Sequence, residues 1–166
     1  MKKTVLTYGL ISGVIAAVLM LAHVPFMDGS STALIFGYAG ILLSAIVIFF
    51  GVRSYRENVG NGKISFGRGF AVGILIALIS AACYVAAWEV VYFSFPGIAD
   101  HVFDKQVEEL KAAGAPKEKI DETAREVESF KKLYANPFVN VAFTFLEPFP
   151  VGLLMTLISA VVLRRK

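Results

Sequence analysis

Four long apolar stretches, almost free of charge, set the terms for this chain: residues 5–24, 33–52, 67–93 and 138–163. A helix needs about 20 apolar residues to cross the roughly 30 Å hydrocarbon layer of a bilayer. Inside lipid, every backbone N–H and C=O must find its partner within the protein, which selects helices for such stretches. The expected fold class is therefore all-α: a polytopic membrane protein with four transmembrane helices. Apolar residues make up 57% of the chain and charged residues 17%, and the charges collect at the two ends, in one short loop and between Asp100 and Lys132. This clumping is what leaves the four stretches intact. A chain of 166 residues has room for one compact unit, read here as a single membrane domain over 1–166.

The first stretch follows Lys2 and Lys3 and could be taken for a secretory signal. It is longer than a signal core, and no small-x-small cleavage site follows it, so it is read as the first span. Gly9, Gly13, Ala16 and Ala17 give it a small-residue ridge suited to close helix contact. Pro25 to Thr32 forms a short turn without Lys or Arg, and Gly37, Gly40 and Ser44 are the small positions of the second span. The next connection holds Arg53, Arg56, Lys63 and Arg68 against one acid, Glu57, with a turn signal at Gly60-Asn61-Gly62. Gly69, Gly73, Ala77 and Ala81 place small residues on one face of the third span. Tyr84, Trp88 and Tyr92 near its far end suit a membrane–water boundary. Pro96-Gly97 ends it.

Residues 99–135 form the one hydrophilic segment, with seven basic and nine acidic residues between Asp100 and Lys132. Phe103, Val107 and Leu110 make one apolar stripe at helical spacing; Ile120, Ala124, Val127, Phe130 and Tyr134 make a second. Gly114 can cap the first helix and Pro116 suits the first turn of the next. An amphipathic helical hairpin is expected, its stripes packed on each other and on the end of the bundle. Asn136-Pro137 ends it, and the fourth span closes on Arg164-Arg165-Lys166.

Lys and Arg near span ends mark the cytoplasmic side. With the N-terminus inside, Lys2 and Lys3, the loop from Arg53 to Arg68 and the C-terminal basic cluster all lie inside, and the hairpin 99–135 lies outside the cytoplasm. The net charge of +3 is thus a topology signal. No basic face interleaved with aromatics points to nucleic acid. The single cysteine, Cys83, lies in an apolar run and is read as a buried, inert thiol.

Three ionisable residues fall within the spans: His23, Glu89 and Glu147. Measured from the basic residues at the cytoplasmic ends, they rise about 30, 31 and 25 Å, a layer about 6 Å thick toward the outer side. Asn140 and Thr144 share the face of Glu147. Pro148 and Pro150 lack an N–H, so the carbonyls of Thr144 and Leu146 lose their helical donors. A carboxylate beside freed carbonyls can take a cation, a proton or a polar head group. Two other readings stand beside this one: Glu147 caps a second half-helix, or the carboxylates bond to neighbouring Tyr, Thr or His as glue between helices.

Metalloprotease, nucleophile-elbow and phosphate-loop motifs are absent, and two histidines make a haem or His-rich metal site unexpected. No cofactor and no catalytic residue is assigned. The start Tyr8-Gly9-Leu10-Ile11-Ser12-Gly13, then Phe93-x-Phe95-Pro96, then Phe145-x-Glu147-x-Phe149-Pro150-Val151-Gly152-Leu153 and the basic tail resemble a group of bacterial membrane proteins known as a domain of unknown function, number four-one-nine-nine. The resemblance covers essentially the whole chain. It implies four spans, a bacterial inner membrane and no assigned activity. The expectation is a non-enzymatic binding or assembly protein with an outer-leaflet polar site, in contact with membrane lipid and self-associating through its small-residue faces. The alternative is a subunit of a transporter or channel that uses the carboxylates as a proton or cation relay.

Overall fold

A computed structural model describes residues 1–24 and 31–165, with side chains omitted from 31–34. The expected turn around Asp28 lies outside the described residues. Seven helices follow one another: α1 (Lys2–His23), α2 (Ser31–Asn58), α3 (Phe66–Ser94), α4 (Ile98–Ala112), α5 (Lys117–Tyr134), α6 (Pro137–Leu146) and α7 (Phe149–Val162). Four segments are long and apolar enough to cross a membrane: α1, residues 35–58 of α2, α3, and α6 with α7 taken together. The second runs past the expected end at Val52 because the continuation has its own partners. Tyr55 is buried, and Arg56 reaches the Leu163 carbonyl at 3.5 Å.

Helix ends follow from local chemistry. The Ser65 hydroxyl accepts the Arg68 N–H to start α3, and Asn136 Oδ1 accepts the Phe138 N–H to start α6, with Pro137 in the first turn. Gly114 (φ +67°) ends α4 in the left-handed region, where a side chain would be strained. Pro116 sits at the N-cap of α5, one place ahead of its expected position in the first turn.

α3 is the hub, packed against α1, α2, α6 and α7. The polar residues are inside: Ser12, Ser44, Ser80, Asn140, Thr144, Thr156 and Ser159 are all buried. At mid-bundle Ser12 Oγ donates to the Ser44 carbonyl at 2.8 Å and lies 2.8 Å from Ser80 Oγ, joining α1, α2 and α3. The apolar side chains outside include Leu6, Leu10, Val14 and Val18 of α1, each more than half exposed. Such a surface suits lipid and would be a large hydrophobic patch in water.

Two apolar clusters mark the ends of the bundle. Val5, Val52, Tyr55, Ile64, Val72 and Leu163 form the first, at the end where the chain's basic loop and tail meet. There Ile64 and Arg165 exchange backbone hydrogen bonds of 3.0 Å. Met20, Ile41, Tyr84, Trp88, Val91, Ala99 and Tyr134 belong to the second, where α4 and α5 dock. The hairpin stripes meet as rings: Phe103 lies 5.1 Å from Phe130 and 5.2 Å from Tyr134, and Phe130 lies 5.1 Å from Phe143 of α6. Lys131 ties α5 to Asp104 of α4 at 2.6 Å.

The small-residue faces are covered within the chain. An added Cβ at Gly13 would lie 2.6 Å from Cys83 Sγ, and one at Gly73 would lie 2.8 Å from Thr156 Cγ2. Gly152 faces Ala77, Gly69 faces Ala160, and Gly40 faces Leu19. These positions set the spacing of α1, α2, α3 and α7.

Candidate functional site

The site begins with the break between α6 and α7. Glu147 (φ −67°, ψ −58°) and Pro148 (φ −82°, ψ −23°) both keep helical backbone angles, so the span continues across the break. The prolines remove donors without turning the chain away: the Thr144 and Leu146 carbonyls have no amide hydrogen four residues on. No side chain caps α7, so the reading of Glu147 as its cap does not hold. Instead Glu147 Oε2 accepts the Tyr84 O–H at 2.8 Å, from α3.

One turn back along α6, Asn140 and Thr144 make a second polar link. Asn140 is 1% exposed and its Oδ1 accepts the Trp88 indole N–H at 3.1 Å and the Thr144 hydroxyl at 3.3 Å. Thr144 Oγ1 lies 3.3 Å from the Tyr134 hydroxyl of α5. Burial pushes the Tyr134 phenol up to about 12, so it stays protonated at ordinary pH and keeps its O–H for this link. Asn140 Nδ2 has no partner among the described residues.

These side chains border a cleft of about 650 Å³ at the hairpin end of the bundle. Every helix contributes. His23 comes from α1, Gly37, Tyr38 and Ile41 from α2, and Tyr84 and Trp88 from α3. Ala99, Val102 and Phe103 of α4 with Phe130 and Tyr134 of α5 form the hairpin side. Phe143, Leu146, Glu147, Pro150 and Val151 complete the wall. Glu147 lines the cleft at a residue exposed overall, and its carboxylate is held by the phenol of the buried Tyr84 in a part-buried bond. Among the described residues α2 packs on α7 and makes at most slight contact with α6.

The structure brings together His23, Glu147 and Pro150 at the cleft, with Asn140 and Thr144 behind its wall and Pro148 buried at the break. His23 packs over Gly37, whose missing side chain makes room for the ring, and its Nε2 is buried without a partner among the described residues. Glu89 stands apart. It does not line the cleft, and its Oε1 is buried without a partner among the described residues. The reason is rotation: Glu89 follows Trp88 by one residue, about 100° around the helix, toward the outward side that carries Val90 and Phe93.

Sequence reasoning placed Tyr84 and Trp88 at the membrane boundary, but both are only 8% exposed and point into the bundle. Their spacing of four, in line with Ala77 and Ala81, was the available signal that they share the inward face. Tyr134, Phe103 and Phe130 were read only as hairpin stripe residues, yet they form the roof of the site.

No curated protein and no solved structure matches the chain. A family model does match, over residues 7–165, a range that takes in all four apolar segments, the hairpin and the whole of the cleft; the chain belongs to the family described as Protein of unknown function (DUF4199).

Proposed function

We propose that this is an integral membrane binding protein that admits an amphipathic molecule from the bilayer between α2 and α6. One observation carries the reading: a carboxylate, Glu147, held by Tyr84 in the wall of a cleft whose lining is otherwise mostly aromatic and aliphatic, with His23 beside it in the lining. Ligand sites have this composition, mostly apolar lining with a few placed polar groups, and about 300–1,000 Å³ is their usual size. An apolar body would lie against Ile41, Phe143 and Val151 while its polar end meets Glu147 and His23.

In the same reading the protein sits in a bacterial cytoplasmic membrane with both termini inside. Lys2, Lys3, Arg53, Arg56, Lys63, Arg68, Arg164 and Arg165 support it, since all belong to one end of the bundle, opposite the hairpin. The cleft then opens to the outer leaflet, under the hairpin.

Trp88 is the chain's single tryptophan and lines the cleft while being almost shielded from outside, so it reports on entry. In bilayers of lipids brominated along the acyl chain, Trp88 emission is expected to be quenched in the unmodified protein. Val151→Phe, which fills the wall, is expected to relieve at least half of that quenching. Full emission in brominated bilayers without the substitution would sink the reading.

A further inference from the structure

We propose that the polar end this cleft selects is a positive charge, and that its ligand is a lipophilic organic cation: a monovalent ammonium or phosphonium centre carrying apolar substituents. The inference rests on the cleft being a binding site, and it specifies the guest. Glu147 lines the cleft, and no Lys or Arg among the described residues does, His23 being the other acid–base side chain of the wall besides the tyrosines. Lys131 of the hairpin does not line the cleft and is bound to Asp104 at 2.6 Å. A carboxylate facing a mostly apolar cavity gains from a cation there and loses from a neutral or anionic guest, which would displace water without compensating the charge.

The rest of the lining decides which cation. A bare metal ion needs several oxygen ligands around it. Among the described residues no group of three His, Cys, Asp or Glu could hold one. The cleft that Glu147 lines is rich in aromatic rings, among them Tyr84, Trp88, Phe103, Phe130, Tyr134 and Phe143. Ring faces attract a positive centre whose charge is spread over apolar substituents, and they suit the substituents themselves. A volume of about 650 Å³ holds such a body whole. Entry between α2 and α6, which make at most slight contact among the described residues, would give it a path from the bilayer, where lipophilic cations accumulate.

The test uses full-length protein in detergent micelles, with Trp88 emission as the readout. Three probes of similar shape differ in charge: tetraphenylphosphonium, neutral triphenylphosphine oxide and tetraphenylborate. The cation is expected to give a saturable change, at least tenfold tighter than the neutral probe, and the anion none. Glu147→Gln keeps an acceptor for Tyr84 and is expected to weaken the cation at least tenfold while leaving the neutral probe unchanged. Glu89→Gln removes the other carboxylate of the spans, which lies off the cleft, and is expected to change neither. The proposal is overturned if the neutral probe or the anion binds as tightly as the cation, or if a folded Glu147→Gln variant binds the cation normally. In either case saturable binding leaves the cleft itself standing. If no probe gives a saturable change, the cation proposal fails, and the brominated-lipid measurement decides the cleft separately. Charge selectivity in the unmodified protein needs no variant, so a misfolded Glu147→Gln would not spare the proposal.

Discussion

Asn140 is the residue on which the site's wall depends. Its Oδ1 takes two donors at once, from Trp88 and Thr144, and Thr144 passes the link to Tyr134, so one buried amide connects α3, α6 and α5. Replacing it by Leu, of similar volume, leaves the Trp88 N–H without an acceptor in a place water does not reach. A buried unmade bond costs about 1–3 kcal/mol, and measured bonds within membranes run near the low end. Asn140→Leu is expected to lower unfolding stability in mild detergent by about 1–2 kcal/mol and to shift Trp88 emission. Unchanged stability together with an unchanged spectrum would show that the Asn140–Trp88 bond contributes nothing.

At the scale of elements, α3 holds the bundle because its small residues let neighbours come close. Gly13 of α1 sits against Cys83, where a new Cβ would meet both Sγ (2.6 Å) and Cβ (2.7 Å); the latter cannot swing aside. Gly67, in the first turn of α3, has nothing within 4 Å of the same added atom. The two glycines therefore make an opposed pair. Gly13→Ala forces α1 and α3 apart and is expected to cost about 1–3 kcal/mol. Gly67→Ala only removes backbone freedom and is expected to stabilise by up to about 1 kcal/mol. Thermal unfolding of both variants in one detergent checks the contrast, and an equal response would mean that close α1–α3 approach is not what fixes the fold. The hairpin is an element of another kind, joined to the bundle through rings more than through small-residue contact and tied within itself by the Lys131–Asp104 ion pair.

The bundle buries a few polar residues among apolar ones and turns large apolar side chains outward, with basic residues at one end and the hairpin over the other. That layout carries the orientation proposal into a direct measurement. In a Cys83→Ala background, Asn58→Cys marks the basic end and Ala113→Cys the hairpin, both at exposed positions. A membrane-impermeant thiol reagent added to intact cells is expected to label position 113 and to spare position 58 until the membrane is opened. The reverse pattern would invert the protein and place the cleft toward the cytoplasm.

What the sequence determined by itself was local. Run length and the absence of charge dictated four membrane-capable helices, since lipid leaves the backbone no other way to satisfy its polar groups. Asn136-Pro137 and Gly114 announced helix ends, and the two stripes of residues 99–135 announced the hairpin. Rise per residue is fixed, which put His23 and Glu147 in one expected layer, and both do line one cleft. Rotation about each axis was not legible. It depends on which small residues meet across helices distant in sequence, such as Gly13 with Cys83 and Gly73 with Thr156. Those contacts turned Tyr84 and Trp88 inward and Glu89 away, and they gave Glu147 a phenol for a partner and a cleft to line.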